Sequence, residues 1–198
     1  MKKIFLIGDS IRYGFGDEAR RNLGYGIHMR EKLAGKAEVY YPNDNCRFLQ
    51  YTLRYLHEWA RVCPDRSQID IVHWNNGLWD AARYMDEEAL TPIPMYRELL
   101  LRVHGRIRTL FPNAKVYFSL STPVIEEQAP RANNRDNAEI QEYNRAAREV
   151  LEPLGVEIID LYSAAKPLQP EHSYDWVHYT PTGAAILADY IISKLDLT

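Results

Sequence analysis

Five short β-type apolar runs alternate along the chain with amphipathic segments. The runs cover residues 3–7, 38–41, 69–74, 115–120 and 156–159. Residues 48–62, 95–110 and 137–151 instead repeat apolar side chains near helical spacing,. A further helix is expected to begin at Pro181, since proline is favoured in a first turn and Thr180 is a suitable cap. Strands that alternate with helices predict a parallel sheet covered on both faces.

This alternation predicts the α/β fold class. The expected architecture is a three-layer α/β/α sandwich of flavodoxin-like type, built on a five-stranded parallel sheet. The 198 residues suit one domain with a single core, so residues 1–198 are predicted to form one domain,. The least regular segment, residues 121–136, follows the fourth run. A loop of this length is often functional, and a plain surface excursion is the alternative.

Composition narrows the classes of partner. The formal net charge of −3 shows none of the basic surplus that nucleic-acid binding requires,. The apolar run after Lys2 and Lys3 stops at Ile7, too early for a signal peptide, and no run approaches the length of a membrane helix,. Cys46 and Cys63 lack a zinc-binding pattern, so we expect reduced thiols in a cytoplasmic protein, with a disulfide as the open alternative,.

The first apolar run ends at Gly8-Asp9-Ser10. One interpretation is a turn or helix cap, because Asp and Ser accept hydrogen bonds from free backbone N–H groups. The other is a nucleophilic serine at the carboxyl edge of the sheet, where open α/β folds bind their ligands. A serine nucleophile requires a base and a carboxylate from elsewhere in the chain.

An acid and an imidazole stand three positions apart near the other end of the chain. Asp175 and His178 lie just before the last predicted helix, in the segment Asp175-Trp176-Val177-His178-Tyr179-Thr180-Pro181-Thr182-Gly183. If this segment turns, the carboxylate can orient the imidazole ring. The pair by itself is weak evidence of catalysis.

Together these motifs resemble the SGNH hydrolases, also called the GDSL esterase family. The resemblance rests on Gly-Asp-Ser after the first strand and on Asp-x-x-His with Thr-Pro-x-Gly before the last helix, and it brackets nearly the whole chain. It implies a carboxylic ester hydrolase with Ser10 as nucleophile, His178 as general base and Asp175 as its orienting partner. No cofactor is implied.

The resemblance is weaker for the oxyanion hole. In the family the donors are the backbone N–H of the nucleophile, a glycine N–H after the second strand, and an asparagine of a Gly-x-Asn-Asp motif after the third. The N–H of Ser10 carries over directly. The third strand is followed by Asn75-Asn76-Gly77-Leu78-Trp79-Asp80, which puts Trp79 where asparagine is expected. Asn75 or Asn76 is the expected substitute, and the indole N–H of Trp79 is the alternative.

The loop after the second predicted strand lacks the family's glycine. The backbone N–H of Cys46 or Arg47 is the expected replacement there, since every non-proline residue carries one,. Arg12 is expected at the surface, with substrate contact as the alternative. We predict no metal site, because the other histidines lack metal-ligand spacing; they are His28, His57, His73, His104 and His172,.

Residues around the motifs favour a polar substrate. Aromatic side chains flank the candidate site residues; they are Trp74, Trp79, Tyr174 and Trp176. Segment 121–136 carries charged side chains, among them Glu126, Glu127, Arg131 and Arg135. The leading hypothesis is a serine esterase that hydrolyses short acyl esters, specifically O-acetyl esters of carbohydrates, through an acyl-enzyme. A lysophospholipase or thioesterase, an acyltransferase and a non-enzymatic flavodoxin-like binding module remain alternatives. The oligomeric state stays open.

Overall fold

A five-stranded parallel sheet forms the centre of the computed structural model, which describes residues 1–14, 18–85 and 87–197. The strand order is β2-β1-β3-β4-β5, the flavodoxin-like order,. The predicted α/β fold class is therefore confirmed. The strands are β1 Lys2–Ile7, β2 Ala37–Tyr40, β3 Ile71–Trp74, β4 Lys115–Ser119 and β5 Glu157–Ile159.

Seven α-helices are described around this sheet. They are α1 Ser10–Tyr13, α2 Tyr25–Lys32, α3 Leu49–Trp59, α4 Ile93–Leu110, α5 Asn137–Leu151, α6 Leu161–Ala165 and α7 Pro181–Lys194. Helices α3, α4 and α5 pack side by side on one face, and α2, α6 and α7 cover the other. This is the predicted three-layer sandwich.

Strand β1 shows why both faces of the sheet are covered. Its side chains alternate between the two cores: Phe5 and Ile7 pack among residues of α3 to α5, whereas Ile4 and Leu6 pack among residues of α2 and α7. All four are fully buried. Burial of each such side chain stabilises the fold by about 1.5–3 kcal/mol, and a strand buried on both faces appears in the sequence as a continuous apolar run.

The helix boundaries differ in detail from the predicted ones. The predicted helix 48–62 ends at Trp59 and continues as a single 3₁₀ turn, Ala60–Val62. Helix α4 begins at Ile93, two residues before the predicted start. The start of α7 at Pro181 is confirmed, and the Thr180 hydroxyl accepts the Gly183 N–H at 3.3 Å. Within the described ranges, no helix has the length and apolar character needed to cross a membrane.

Candidate active site

Ser10 lies at the carboxyl end of β1, directly at the start of α1. Asp9 caps that helix, because its Oδ1 accepts the Ile11 N–H at 2.9 Å. A Cβ on Gly8 would come within 2.9 Å of the Arg12 Cβ, so only glycine fits this close approach of strand and helix,. β1 pairs with β2 on one side and with β3 on the other, which puts Ser10 at the switch point where such folds bind ligands,.

A turn before α7 brings His178 and Asp175 together. Backbone pairing between Ser173 and Tyr179 closes the turn, and the Tyr174 N–H donates to the His178 carbonyl at 2.8 Å. Inside the turn, Asp175 Oδ1 accepts the backbone N–H groups of Val177 and His178, at 2.8 and 2.7 Å. The Asp175 carboxylate therefore stabilises the turn and also binds the imidazole of His178.

A continuous chain of hydrogen bonds links the three predicted triad residues. His178 Nε2 lies 2.8 Å from Ser10 Oγ, and His178 Nδ1 lies 2.8 Å from Asp175 Oδ2. Burial by itself raises the pKa of Asp175, but the hydrogen bond and charge of His178, with the two backbone N–H bonds, outweigh it and hold this pKa below its ordinary value. An ionised carboxylate at Nδ1 leaves Nε2 as the acceptor for a serine proton.

A cavity of about 620 Å³ opens beside Ser10 and His178. Trp79 and Trp176 contribute half-buried rings to its wall, whereas Trp74 belongs to the core and Tyr174 is 49% exposed away from it. The aromatic cluster expected around Ser10 therefore consists of two of those four residues. The full lining is Ser10, Tyr13, Gly14, Asp44, Asn45, Arg47, Leu78, Trp79, Asn133, Arg135, Asp175, Trp176, Val177 and His178.

Asn75 and Asn76 are buried and are not among the residues that line this cavity. Asn75 Oδ1 accepts the Asp9 N–H at 3.4 Å, and its Nδ2 donates to the Ser119 carbonyl at 3.4 Å. Asn76 Nδ2 donates to the Arg47 carbonyl at 2.6 Å. Both amides therefore join neighbouring segments at the sheet edge.

The backbone donors expected after β2 are also engaged. The Cys46 N–H donates to the Gly8 carbonyl at 3.0 Å, and the Arg47 N–H donates to Asn45 Oδ1 at 2.9 Å. By contrast, the Ser10 N–H donates to no other residue in the described part of the chain. Among the described residues, the Ser10 N–H is therefore the only predicted oxyanion donor that both lies at the cavity and has no hydrogen-bond partner.

Arg12 is buried, and the expectation of a surface arginine is wrong. Its side chain is 1% exposed and donates to the carbonyls of Pro42, Asp44 and Gly8 at 3.2, 2.5 and 3.3 Å. These acceptors belong to β1 and to the loop after β2, so the guanidinium fastens that loop beneath Ser10. A guanidinium carries several N–H donors in a fixed geometry, so a set of backbone carbonyls can accept hydrogen bonds from it when it is buried.

Arg135 is a cavity residue whose position sequence reasoning did not foresee. The sequence indicates it only as one charge of segment 121–136, yet it is 7% exposed and lines the cavity with Ser10 and His178. Residue 134 anchors it, because Arg83 and Asn134 pair through two backbone hydrogen bonds of 3.1 and 3.0 Å. No periodic pattern marks such a residue in an irregular segment.

The sequence model of the GDSL-like lipase/acylhydrolase family matches residues 6–186. The chain belongs to this family. A curated Arabidopsis thaliana relative, the GDSL esterase/lipase CPRD49, is 24% identical over 96% of this chain and 77% of that protein. Membership of this family places the chain among the carboxylic ester hydrolases.

Solved structures of the same fold cover nearly the whole chain. A lipase/acylhydrolase from Enterococcus faecalis superposes with a TM-score of 0.74 and 23% identity, over 98% of this chain and 95% of the other. The acetyl xylan esterase AlAXEase superposes with a TM-score of 0.73 and 19% identity, over 98% of this chain and 100% of the other. At these identities the similarity establishes the fold.

This GDSL-family chain contains a second serine–histidine pair in its core. His73 Nε2 lies 2.7 Å from Ser119 Oγ, and both residues are fully buried. Burial, with the charge of Arg12 nearby, lowers the pKa of His73 to about 3. The His73 Nδ1 has no hydrogen-bond partner among the described residues, so no carboxylate orients this ring. The pair therefore joins β3 to β4 and lacks access to a substrate.

The described part of the chain contains no group of three or more His, Cys, Asp or Glu side chains arranged to hold a metal ion. Cys46 and Cys63 are both buried free thiols. Burial raises the pKa of each, to about 12 for Cys63, which keeps them protonated and unreactive at neutral pH,.

Proposed function

We propose that this protein is a serine esterase that hydrolyses O-acetyl esters of carbohydrates through an acyl-enzyme intermediate. The observation that carries the proposal is the hydrogen-bond chain from Asp175 through His178 to Ser10, which ends in an open cavity. A nucleophile bonded to a base that is itself oriented by a third group is the arrangement that acyl transfer requires.

In the proposed reaction, Ser10 Oγ attacks the ester carbonyl while its proton passes to His178 Nε2. The Asp175 carboxylate stabilises the imidazolium that forms. The intermediate collapses when the carbon–oxygen ester bond breaks and the departing alcohol takes the proton from Nε2. Water then attacks the acyl-enzyme by the same route, returning the proton to Ser10 and releasing the carboxylic acid.

We propose that the backbone N–H of Ser10 and the indole N–H of Trp79 stabilise the oxyanion. Trp79 occupies the position of the family's asparagine, lines the cavity, and its indole donates to no other described residue. The hydrogen bonds of Asn75 and Asn76 to backbone carbonyls favour a structural role for those two amides. One preorganised donor typically contributes about 2.7–4 kcal/mol.

The lining of the cavity favours a small acyl group on a polar alcohol. Leu78 and Val177 are the only aliphatic side chains among its described lining residues. Trp79 and Trp176 offer flat rings beside polar groups, which suits stacking on a sugar,. The acetyl xylan esterase of the same fold supports an acetylated carbohydrate as substrate.

Acyl-chain selectivity tests this proposal. We expect kcat/KM to be highest for p-nitrophenyl acetate and to fall at least about tenfold for the octanoyl ester, because only two aliphatic side chains stand among the described lining residues,. Acetate should also be released from acetylated xylo-oligosaccharides. Rates that rise toward the dodecanoyl ester would instead favour a lysophospholipase or thioesterase, and preferential acetylation of an added sugar would favour an acyltransferase.

A further inference from the structure

The guanidinium of Arg135 is held rigidly in the wall of the cavity. Its Nε donates to the Leu78 carbonyl, and its Nη1 donates to Asn133 Oδ1 at 3.2 Å. The Trp176 ring covers it, with the guanidinium carbon 5.3 Å from the ring centroid. Burial lowers the pKa of Arg135 to about 10, which still leaves the side chain positively charged at neutral pH.

No carboxylate lies at ion-pair distance from this charge in the described ranges; the buried Asp9 carboxylate acts on it only at longer range and partly offsets the lowering of its pKa by burial. Arg135 forms no ion pair there, and its Nη2 donates to none of the described residues. Two carboxylates line the same cavity, but both are engaged: Asp175 bonds His178, and Asp44 Oδ2 lies 3.1 Å from the Tyr51 hydroxyl and 3.3 Å from the Trp59 indole nitrogen.

A buried cation without a directly bonded counter-ion is costly, because the protein replaces its hydration only in part. A ligand that places a negatively charged oxygen beside the guanidinium would offset this unfavourable free energy. Arg135 lines the cavity that also contains Ser10 and His178, so such a ligand would place its ester near the nucleophile. Arginine suits this task because its donors match the geometry of a carboxylate.

We infer that Arg135 binds a carboxylate carried by the alcohol part of the ester, so that the substrate is an O-acetylated acidic sugar. This inference rests on the proposed function. The acetyl group that is transferred bears no charge, and the anion must therefore belong to the alcohol. Arg135 then acts in substrate binding and selects acidic over neutral sugars.

Two acetyl esters that differ only in charge test the inference. One is an acetylated methyl glucuronoside, and the other is the same sugar with the carboxylate replaced by a carboxamide. We expect the wild-type protein to prefer the acid in kcat/KM by about thirtyfold or more, the scale of one partner in a buried charge pair. Arg135→Gln should abolish this preference, through a rise in KM for the acid. Arg135→Lys should restore part of the preference.

Arg102→Gln is the matched control, because it removes the same charge from an exposed site on α4. It should keep the wild-type preference. Equal turnover of the two esters by the wild-type protein would overturn the inference while leaving the esterase proposal intact, whereas hydrolysis of neither ester would count against the esterase proposal itself. An equal fall in kcat for both esters in Arg135→Gln would assign Arg135 to the oxyanion or to the fold instead.

A measurement on the wild-type protein alone covers the case in which Arg135→Gln does not fold. Glucuronate and glucuronamide are compared as competitive inhibitors of p-nitrophenyl acetate hydrolysis. Tighter inhibition by glucuronate, weakened by added salt, supports the inference. Equal inhibition by both compounds contradicts it.

Discussion

His178 Nε2 lies 2.8 Å from Ser10 Oγ, although 168 positions separate the two residues in the sequence. The Asp9 cap fixes Ser10 at the start of α1, and the Asp175 turn fixes His178 before α7. Both side chains are therefore positioned by local hydrogen bonds on the scaffold of the sheet. Proton transfer from Oγ to Nε2 requires no rearrangement of either residue, because the atoms are already within hydrogen-bonding distance.

We expect Ser10→Ala and His178→Ala each to remove nearly all hydrolysis of p-nitrophenyl acetate. The double variant should be little worse than either single one, since the residues act as a unit. Steady-state kcat is the measurement. Ser119→Ala is the matched control, because Ser119 also bonds a histidine but in the core. Turnover by Ser10→Ala near the wild-type rate would disprove the nucleophile assignment.

Asp175→Asn tests the orientation of the imidazole. The amide keeps an oxygen for the N–H groups of Val177 and His178, but its Nδ2 donates toward His178 Nδ1 and so favours the tautomer with the proton on Nε2. That nitrogen can no longer accept the serine proton. We expect kcat to fall roughly ten-thousandfold. The thermal midpoint should stay close to that of the wild type, and a loss of activity below about tenfold would argue against the triad.

Strands β1 and β3 could be predicted because most of their side chains are buried and they appear in the sequence as largely apolar runs, whereas the edge strands β2 and β5 are only partly buried and carry shorter runs. Helix α2 could not be predicted, because its apolar residues Tyr25, Ile27 and Met29 stand at every second position and lack helical spacing. Its place depends instead on close packing: a Cβ on Gly26 would lie 2.8 Å from the Arg12 carbonyl. Contacts between distant segments decide such an element, and a local pattern does not contain them.

The contacts within the site also differ in how well the sequence predicts them. Asp175 and His178 are close in sequence and are joined by a local turn, so their contact could be expected from the spacing, while their role was indicated by the resemblance that also includes Gly8-Asp9-Ser10. Arg12 and Asn76 take their acceptors from the loop after β2, which a sequence does not place in space. For this reason the expectation of a surface Arg12 is wrong, whereas the sequence leaves open which of Asn75 and Asn76 would donate to the oxyanion; in the structure Asn76 Nδ2 donates to the Arg47 carbonyl.

Trp79→Phe tests the proposed indole donor. The substitution keeps most of the ring but removes the N–H, so we expect kcat to fall by roughly a hundredfold or more with little change in KM. The same substitution at Trp176 also removes an indole from the cavity wall, and there we expect the larger effect on KM. If Trp79→Phe is fully active while Asn75→Ala or Asn76→Ala loses kcat at unchanged thermal stability, an asparagine amide is the donor.

Asp80 makes the stability of the fold depend on pH. Its Oδ1 accepts the Leu49 N–H at 3.1 Å at the start of α3, while its Oδ2 has no partner among the described residues. Burial is the largest cause that raises its pKa, from an ordinary value of 3.8 to about 7. Between these two values the unfolded chain releases a proton that the folded protein keeps, so the free energy of unfolding falls as pH rises.

Asp80→Asn removes this titration while keeping an oxygen for the Leu49 N–H. The shift of the pKa from 3.8 to about 7 corresponds to on the order of 4 kcal/mol of unfolding free energy,. We therefore expect the variant to gain stability relative to the wild type as pH rises from about 4 to about 8, as measured by urea denaturation. Asp9, whose pKa burial raises to about 6, is unchanged in the variant and leaves a smaller slope in both proteins. Parallel stability curves for the two proteins across this range would show that Asp80 is not the titrating group.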